Sequence, residues 1–327
     1  MAGVTMVQAL NEAMREEMAR DETVLLLGED VGVDGGIFRV SDGLLDEFGE
    51  KRIVDTPLSE VAIVGTAIGL ALYGFRPIAE MQFSGFSYQA FHQVESHASR
   101  LRKRSQGRYT VPLVLRMPYG AGVRALEHHS ESREAYYAHT PGLKVVIPRS
   151  PRKAWELLKA SIRDPDPVVF MEPKGLYRRG REELPKDRRQ VPPLGGAEIV
   201  QEGEDITVIA YGAMLYRAMK AVKTLEREDV VNAEVIDLQI IAPLDSDTIN
   251  ASVQKTGRAV VIHEAPRTLG VGAEIAARIT EESFLSLEAP VKRITGYDVQ
   301  VPLFAREQLY LPSEERILHG MRETLAF

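Results

Sequence analysis

Short apolar runs alternate with amphipathic stretches along most of the chain. The runs are bounded by Gly, Pro and Asp, and the stretches between them repeat apolar residues at helical spacing. This pattern predicts largely parallel sheets covered by helices, that is, an α/β fold. We predict a first helix at residues 6–20, with Thr5 as its N-cap. Strands are predicted in the first half at residues 24–28, 77–83, 112–117, 143–147 and 168–172.

The character of the chain changes between residues 174 and 205. The segment YRRGREELPKDRRQVPPLGG is charged, carries three prolines and has no apolar period, which is typical of an interdomain connection. Beyond it the alternation restarts, with strands predicted at 206–212, 233–239 and 258–265, helices at 214–225, 245–253 and 272–284, and a last helix after Ser313. We therefore predict two α/β domains, at residues 1–185 and 206–327, joined by a linker at 186–205.

Composition and charge narrow the classes of function. The 327 residues are 44% hydrophobic, which is enough for two domains with cores of ordinary size. The 40 basic and 47 acidic residues are scattered along the chain, so we expect no binding to a nucleic-acid backbone. The absence of cysteine excludes a disulfide framework, a thiolate metal site and a cysteine nucleophile.

Hydropathy gives no sign of a membrane protein. The longest nearly apolar run, residues 62–75, contains three glycines and is shorter than the roughly 18 residues that a spanning helix needs. The N-terminal residues MAGVTMVQAL lack a basic stretch followed by an apolar core, so we expect no export signal. A cytoplasmic protein without a membrane span is the expectation.

Two glycine-bearing segments are candidate ligand sites, because ligands gather just past the strands of open α/β sheets. Residues 28–40, GEDVGVDGGIFRV, lack the G-x-G-x-x-G spacing, so we favour a plain surface turn over a phosphate cradle. In residues 55–74, Thr56 and Pro57 are predicted to cap a helix with Glu60 in its first turn. Glu60 either stabilises the helix dipole or faces a ligand donor in a dry cleft, and the spacing leaves both open.

Two further segments carry aromatic and histidine residues. Residues 81–93, MQFSGFSYQAFHQ, are interpreted as core rather than as a stacking platform for a flat ring. Residues 117–132 form a glycine-bearing loop with His128 and His129, whose near-neutral pKa suits proton transfer. No third ligand is spaced for zinc, and His263 and His319 are assigned to structure.

Motifs along nearly the whole chain resemble one family. They are LGEDVG, DTPLSE, GFRPIAEMQF, PLVLRMPYGAGV with HHSES, PGLKVVIP, DPDPVVFMEPKGLYR, DITVIAYGA, VIDLQIIAPLD, KTGRAVVIHEAPRTLG and APVKRITGYD. Together they resemble the beta subunit of the thiamine diphosphate-dependent decarboxylating component of 2-oxo acid dehydrogenase complexes. The resemblance implies a transketolase-like pyrimidine-binding domain followed by a transketolase C-terminal domain. The stretches EAPRTLG, EESFLSLEAPV and TGYD favour the branched-chain 2-oxo acid type over the pyruvate type.

The resemblance also implies roles for single residues. Glu60 would bond the aminopyrimidine ring of the cofactor and favour the tautomer whose nitrogen removes the thiazolium proton. Phe86 would pack on that ring, Leu58 would form part of the same pocket wall, and Glu29 would belong to a polar tunnel between two active sites. His129 would orient or protonate the substrate-derived intermediate and help its transfer to a lipoyl group. Glu60 and His129 are thus the catalytic candidates, and Glu29, Leu58, Glu60 and Phe86 the cofactor-binding ones.

Ions and partners follow from the same resemblance. It implies a structural potassium ion held largely by main-chain oxygens, at Leu113, Val114, Ser161, Asp164 and Asp166. Thiamine diphosphate enzymes anchor the diphosphate through Mg²⁺ on a G-D-G stretch followed by asparagine, which this chain lacks; residues 33–36, VDGG, are the nearest match. An alpha subunit in an α2β2 heterotetramer is therefore expected to hold the diphosphate and Mg²⁺. A lipoyl acyltransferase core is the further partner, and a 2-oxo acid is the substrate.

Some positions depart from the family pattern, and alternatives stay open. His92 stands where an acid is common, Lys103 where tyrosine is usual, and Arg124 where a histidine or small residue follows the glycine loop. Since Arg124 lies nearest the candidate site, it weakens the inferred substrate preference most. The alternatives are the beta subunit of a pyruvate or acetoin dehydrogenase, and a non-catalytic structural partner within an enzyme complex.

Overall fold

The computed structural model describes residues 3–327, which divide into two compact units. The first unit comprises residues 3–119 and 136–195, and the second comprises 120–135 and 196–327. The predicted division places residues 120–135 in the first domain, whereas their contacts group them with the second unit. No helix in the described residues is both long and apolar enough to cross a bilayer.

The first unit is built on a parallel sheet. Its strands are β1 (Val24–Gly28), β2 (Ile53–Asp55), β3 (Arg76–Glu80), β4 (Val114–Tyr119), β5 (Lys144–Val146) and β6 (Val168–Pro173). They lie in the order β5-β6-β4-β3-β1-β2, and every pair is parallel. Gly28 pairs with both Asp55 and Glu80, so the segments that follow these three strands leave the sheet at the same edge. This carboxyl edge is where an open α/β sheet binds ligands.

Helices alternate with these strands along the chain. They are α1 (Met6–Arg20), α2 (Leu44–Phe48), α3 (Glu60–Leu72), α4 (Tyr88–Ser96), α5 (Leu101–Arg104), α6 (Glu134–Ala138) and α7 (Pro151–Arg163). The predicted cap of α1 is confirmed, because Thr5 and Gln8 form a capping box in which each side chain accepts the other's backbone N–H. The apolar stripe of α1 is buried, and α1 packs against α7.

The second unit repeats the architecture on a smaller scale. Its strands are β7 (Glu198–Gln201), β8 (Ile206–Ala210), β9 (Ala233–Asp237), β10 (Ile240–Ala242), β11 (Ala259–Pro266) and β12 (Lys292–Gly296). Five of them form a sheet in the order β12-β11-β8-β9-β7, in which only β7 is antiparallel to its neighbour. The helices are α8 (Gly212–Asp229), α9 (Ser246–Thr256), α10 (Val271–Ser283), α11 (Glu307–Tyr310) and α12 (Glu314–Leu325). The core lies between this sheet and the apolar faces of α8 and α12.

Two details differ from the sequence-based expectation. Strand β7 lies inside the stretch predicted as a linker, and its four residues are too few and too exposed to show an apolar period. Thr56 was expected to cap the helix, but α3 begins at Glu60 with Ser59 as N-cap. The reason is that β2 ends at Asp55 and the Thr56 N–H still donates to the Gly28 carbonyl oxygen at 2.9 Å, so Thr56 leaves the sheet rather than entering the helix.

Candidate active-site residues

Glu60 is buried in the first turn of α3, at the carboxyl edge of the first sheet. Its side chain is 6% exposed, and its Oε2 atom has no hydrogen-bond partner among the described residues. A buried carboxylate oxygen without a donor is costly, since it has lost water and gained nothing in exchange. An external N–H group would satisfy it. The nitrogen-bearing aminopyrimidine that the resemblance assigns to Glu60 therefore fits the chemistry of this position.

Glu29 follows β1 and lies close enough to Glu60 to sense its charge. Burial raises the pKa of Glu29, and the negative charges of Asp30 and Glu60 raise it further. Asp30 is held in turn by Gln82, whose Nε2 donates to Asp30 Oδ2 at 3.1 Å. The structure thus brings Glu29 and Glu60 together in an acidic group that favours a bound proton or a cationic ligand.

In the glycine-rich turn after β1, two main-chain N–H groups are already bonded by a side chain of the protein. The Asp55 carboxylate accepts the main-chain N–H groups of Gly32 at 2.6 Å and Val33 at 3.1 Å. Gly35 and Gly36 have φ values of 68° and 76°, in the left-handed region that favours glycine. Because an acid already accepts the two N–H groups, these results support a plain turn rather than a phosphate cradle.

Phe86 belongs to a row of aromatic rings. Its ring meets Phe83 edge to face with centroids 5.5 Å apart, and Phe83 meets Phe38 in the same way at 5.6 Å. Phe83 is buried, which fits the expected core role, while Phe86 is partly exposed. Leu58, in the turn before α3, is 69% exposed. Phe86 and Leu58 therefore keep apolar surface that a ligand could cover.

A buried ion cluster at the carboxyl edge was missed by the sequence reasoning. Arg116 on β4 donates to Glu80 on β3 at 2.5 Å and to both oxygens of Glu172 on β6 at 2.7 and 3.0 Å. The Tyr177 hydroxyl also donates to Glu172, at 2.6 Å. Burial raises the pKa of Glu80, although Arg116 opposes this. The available signal was a charged residue inside each of three apolar strands.

His128 and His129 lie in the second unit, in the segment between β4 and α6. They end a single turn of 3₁₀ helix, where the His129 N–H donates to the Leu126 carbonyl oxygen at 3.0 Å. His128 is exposed, with Nδ1 at 3.7 Å from Glu131 Oε1, whereas His129 is half-buried. Of this adjacent pair, His129 is therefore the one in a partly desolvated setting.

The residues assigned to potassium lie in the first unit, where strands β4 and β6 begin. Lys144 Nζ bonds both carboxylate oxygens of Asp164, at 2.8 and 2.7 Å. Arg76 donates to the carbonyl oxygens of Ile162 at 2.9 Å and Asp164 at 3.2 Å. A potassium ion here would lie beside two fixed positive charges.

The remaining oxygens of that set also face protein donors. The Leu113 carbonyl oxygen accepts the Val168 N–H at 2.9 Å, that of Ser161 accepts the Asp164 N–H at 3.2 Å, and Asp166 accepts Arg102 Nε at 2.6 Å. The described residues contain no cluster of three or more His, Asp or Glu side chains that could hold a metal ion. Several of the assigned oxygens therefore already accept protein N–H groups, and the potassium assignment, including Val114, stays a prediction.

Two family models match most of the chain. Residues 2–180 match "Transketolase, pyrimidine binding domain", and residues 195–317 match "Transketolase, C-terminal domain". A solved chain described as "Split gene transketolase, inactive beta4 tetramer" is similar, with a TM-score of 0.79 over 99% of both chains and 21% sequence identity. The predicted α/β fold with a transketolase-like pyrimidine-binding domain and a transketolase C-terminal domain is confirmed.

Curated relatives of similar length are much closer in sequence. The chain is 50% identical over 322 residues to the 3-methyl-2-oxobutanoate dehydrogenase subunit beta of Mycobacterium tuberculosis (strain ATCC 25618 / H37Rv), covering 98% of this chain and 92% of the relative. It is 46% identical over 323 residues to the pyruvate dehydrogenase E1 component subunit beta of Acholeplasma laidlawii, covering 99% and 98%. The protein of the latter name from Bacillus subtilis (strain 168) is 47% identical over the full length of both chains. The chain therefore belongs to the family of E1 beta subunits of thiamine-dependent 2-oxo acid dehydrogenases.

Proposed function

We propose that this chain is the beta subunit of a branched-chain 2-oxo acid dehydrogenase of the 2-oxoisovalerate type. With an alpha subunit it would catalyse oxidative decarboxylation of the 2-oxo acid and transfer the acyl group to lipoyl-lysine of an acyltransferase core. The buried Oε2 atom of Glu60, which has no hydrogen-bond partner among residues 3–327, is the observation that carries the thiamine part of this proposal. The branched-chain preference is supported by the stretches EAPRTLG and TGYD and by the mycobacterial relative.

The residues of this chain would bind and orient rather than supply the electron sink. Thiamine diphosphate, when bound, supplies the stabilised carbanion chemistry. Glu60 would accept a hydrogen bond from a ring nitrogen of the aminopyrimidine, and its burial would strengthen that bond because no water competes. Phe86 and Leu58 offer the apolar contact for the ring, and the neighbouring carboxyl group of Glu29 holds a proton more readily than usual.

His129 is assigned to the later step. A half-buried imidazole can protonate a developing oxyanion or orient an acceptor near neutral pH. The alpha subunit is proposed to hold Mg²⁺ and the diphosphate in an α2β2 heterotetramer, since this chain lacks the G-D-G stretch with its downstream asparagine.

A pyruvate dehydrogenase beta subunit is the second candidate. It is favoured by the relatives at 46% and 47% identity, which are both pyruvate dehydrogenase E1 component beta subunits. An acetoin-specific enzyme of the same type is separated from both only by its substrate. A purely structural partner is opposed by the buried, donor-seeking carboxylate of Glu60, which a scaffold does not need.

The test is co-expression with the candidate alpha subunit and assay with thiamine diphosphate, Mg²⁺ and a panel of substrates. We expect kcat/KM for 3-methyl-2-oxobutanoate to exceed that for pyruvate by about tenfold or more. The reverse order would identify the pyruvate type, and turnover of acetoin alone the acetoin type. If this chain leaves the alpha subunit's affinity for the cofactor unchanged, the result would support a purely structural partner and contradict the proposal.

A further inference from the structure

Residues 120–135, called here the histidine loop, are held at their start by a buried acid of the second unit. Glu264, at the carboxyl end of β11, is 2% exposed, and its Oε2 atom accepts the Ala121 N–H at 2.8 Å. Gly120 has a φ of 81°, and a Cβ atom there would lie only 2.7 Å from Glu264 Oε1. The glycine therefore allows the carboxylate to approach the main chain of the loop closely.

A second buried acid holds the middle of the loop. Glu307 begins α11 and is 1% exposed. Its Oε1 and Oε2 atoms lie 3.0 and 3.2 Å from the Arg124 nitrogen, whose N–H they accept. Arg124 has a φ of 58°, in the left-handed region that a residue with a side chain rarely adopts. A charge-assisted hydrogen bond at this position stabilises a backbone conformation that is otherwise unfavourable.

At the C-terminal end of the loop the buried acid belongs to the loop itself, and the hydrogen-bond donor comes from another element of the second unit. Glu134, the first residue of α6, is fully buried, and its Oε1 atom accepts the Tyr211 hydroxyl at 2.7 Å. His128 and His129 thus lie between two anchored points, Arg124 and Glu134, within a stretch of only eleven residues. The backbone carrying the histidines has little freedom to move independently of the second unit.

The chemistry of these contacts indicates that the two acids position the loop rather than merely stabilise the fold. Removing a carboxylate from water is expensive, and two carboxylates are buried here where they accept main-chain N–H groups of a loop that is itself only partly buried. We propose that Glu264 and Glu307 are positioning residues that act through His129 in the acyl-transfer step, an inference that rests on the function proposed above. Both acids belong to the second unit. The second unit thus contributes to catalysis by placing the histidine.

The test uses matched pairs of variants in the complete chain, reconstituted with its alpha subunit. Glu264→Met and Glu307→Met remove the acceptor at nearly constant size, whereas Glu264→Gln and Glu307→Gln keep an oxygen that can accept the same N–H. We expect each methionine variant to lower the rate of acyl transfer to a lipoyl domain by about tenfold or more, and each glutamine variant by about threefold or less. Glu234→Met, at another buried acid of the same unit, is the control and should leave this rate unchanged.

A double-mutant cycle with His129→Ala identifies the route of the effect. If Glu264 acts through His129, adding Glu264→Met to His129→Ala should cost less than about twofold, because the positioned group is already gone. Equal losses in the two backgrounds would overturn the proposal. The same cycle on Glu307 keeps the test open if Glu264→Met fails to fold, since the two acids lie on different elements.

Hydrogen exchange gives a readout independent of activity. Peptides covering residues 120–129 should exchange faster in both methionine variants and at the wild-type rate in Glu234→Met. Unchanged exchange in those variants would overturn the anchoring itself. If the wild-type chain, reconstituted with its alpha subunit, shows the expected exchange pattern but decarboxylates no 2-oxo acid, the proposed function is contradicted and the anchoring is not.

Discussion

The guanidinium of Arg116 bonds both carboxylate oxygens of Glu172, at 2.7 and 3.0 Å, near the carboxyl edge of the first sheet, where both side chains are buried. This pair joins two neighbouring strands, β4 and β6, just before the edge where Glu60 and Glu29 lie. Removing the cation would leave the carboxylates of Glu80 and Glu172 buried together, with only the Tyr177 hydroxyl donating to Glu172.

We expect Arg116→Met to destabilise the chain by about 3–5 kcal/mol, because it breaks a buried ion pair and leaves uncompensated charge. Urea unfolding followed by circular dichroism measures the effect. Arg278→Met is the control: Arg278 bonds Glu274 at 2.7 Å on the exposed face of α10, and its loss should cost less than about 1 kcal/mol. Similar losses in the two variants would show that the buried cluster contributes little.

Glu60→Ala should reduce decarboxylation by at least about 100-fold in the reconstituted enzyme, since the proposed contact to the aminopyrimidine is lost. Steady-state kinetics with an artificial electron acceptor is the measurement. Glu315→Ala removes an exposed acid from the first turn of α12 and controls for the helix-dipole effect. Near wild-type turnover by Glu60→Ala would leave only that structural role for Glu60.

His129→Ala should impair acyl transfer to the lipoyl domain more than decarboxylation with an artificial acceptor. We expect about 100-fold against about tenfold, in the range that a lost general acid produces. His128→Ala is the adjacent control, because His128 is exposed and should tolerate the change. Equal losses in both assays would move His129 to an earlier step, and a large effect of His128→Ala would reverse the assignment.

His263 should make the second unit less stable in mild acid. The ring is fully buried and stacked 6.3 Å from Tyr211, and burial lowers its pKa from 6.5 to about 4. Between these values the unfolded chain binds a proton that the folded chain rejects, so stability falls as the pH falls, by on the order of 3 kcal/mol in total. Glu80 and Glu134 act in the opposite sense, because burial raises the pKa of each.

The measurement is urea unfolding of the wild type and His263→Leu between pH 7.5 and 4. The variant should show a smaller fall in stability over this range. Parallel pH profiles for the two proteins would mean that the imidazole is protonated in the folded state without penalty.

Potassium should have little specific effect on the wild type, since Lys144 and Arg76 already neutralise the oxygens around Asp164. We expect the melting temperatures in KCl and choline chloride of equal concentration to agree within about 2 °C. Lys144→Met removes one fixed charge and should acquire a potassium-dependent gain. A large gain in the wild type that Lys144→Met abolishes would contradict this expectation.

The fold could be predicted because its signal is local. The apolar stripe and cap of α1 and the buried β1 are encoded in neighbouring residues, and the structure has both where the sequence predicts them. Short edge strands escaped prediction, because β2, with three residues, is too short to show a period. The cap of α3 was misplaced for a related reason, since Thr56 was needed to extend the sheet.

The functional side chains likewise divide into those that the local sequence predicts and those that meet only after folding. Glu60 stands out in sequence because it is a lone acid opening an otherwise apolar helix. Arg116, Glu80 and Glu172 meet only after three strands far apart in the chain have paired, so spacing alone could not join them. Glu264 lies 143 positions beyond Ala121, its hydrogen-bond partner, and no local pattern announces that contact.

Exchange of parts between relatives is constrained by the assignment of residues 120–135 to the second unit. A chimera cut at the boundary near residue 195 would combine a histidine loop from one parent with the acids Glu264 and Glu307 of another. A chimera that keeps these contacts must take both segments of the second unit, residues 120–135 and 196–327, from the same parent.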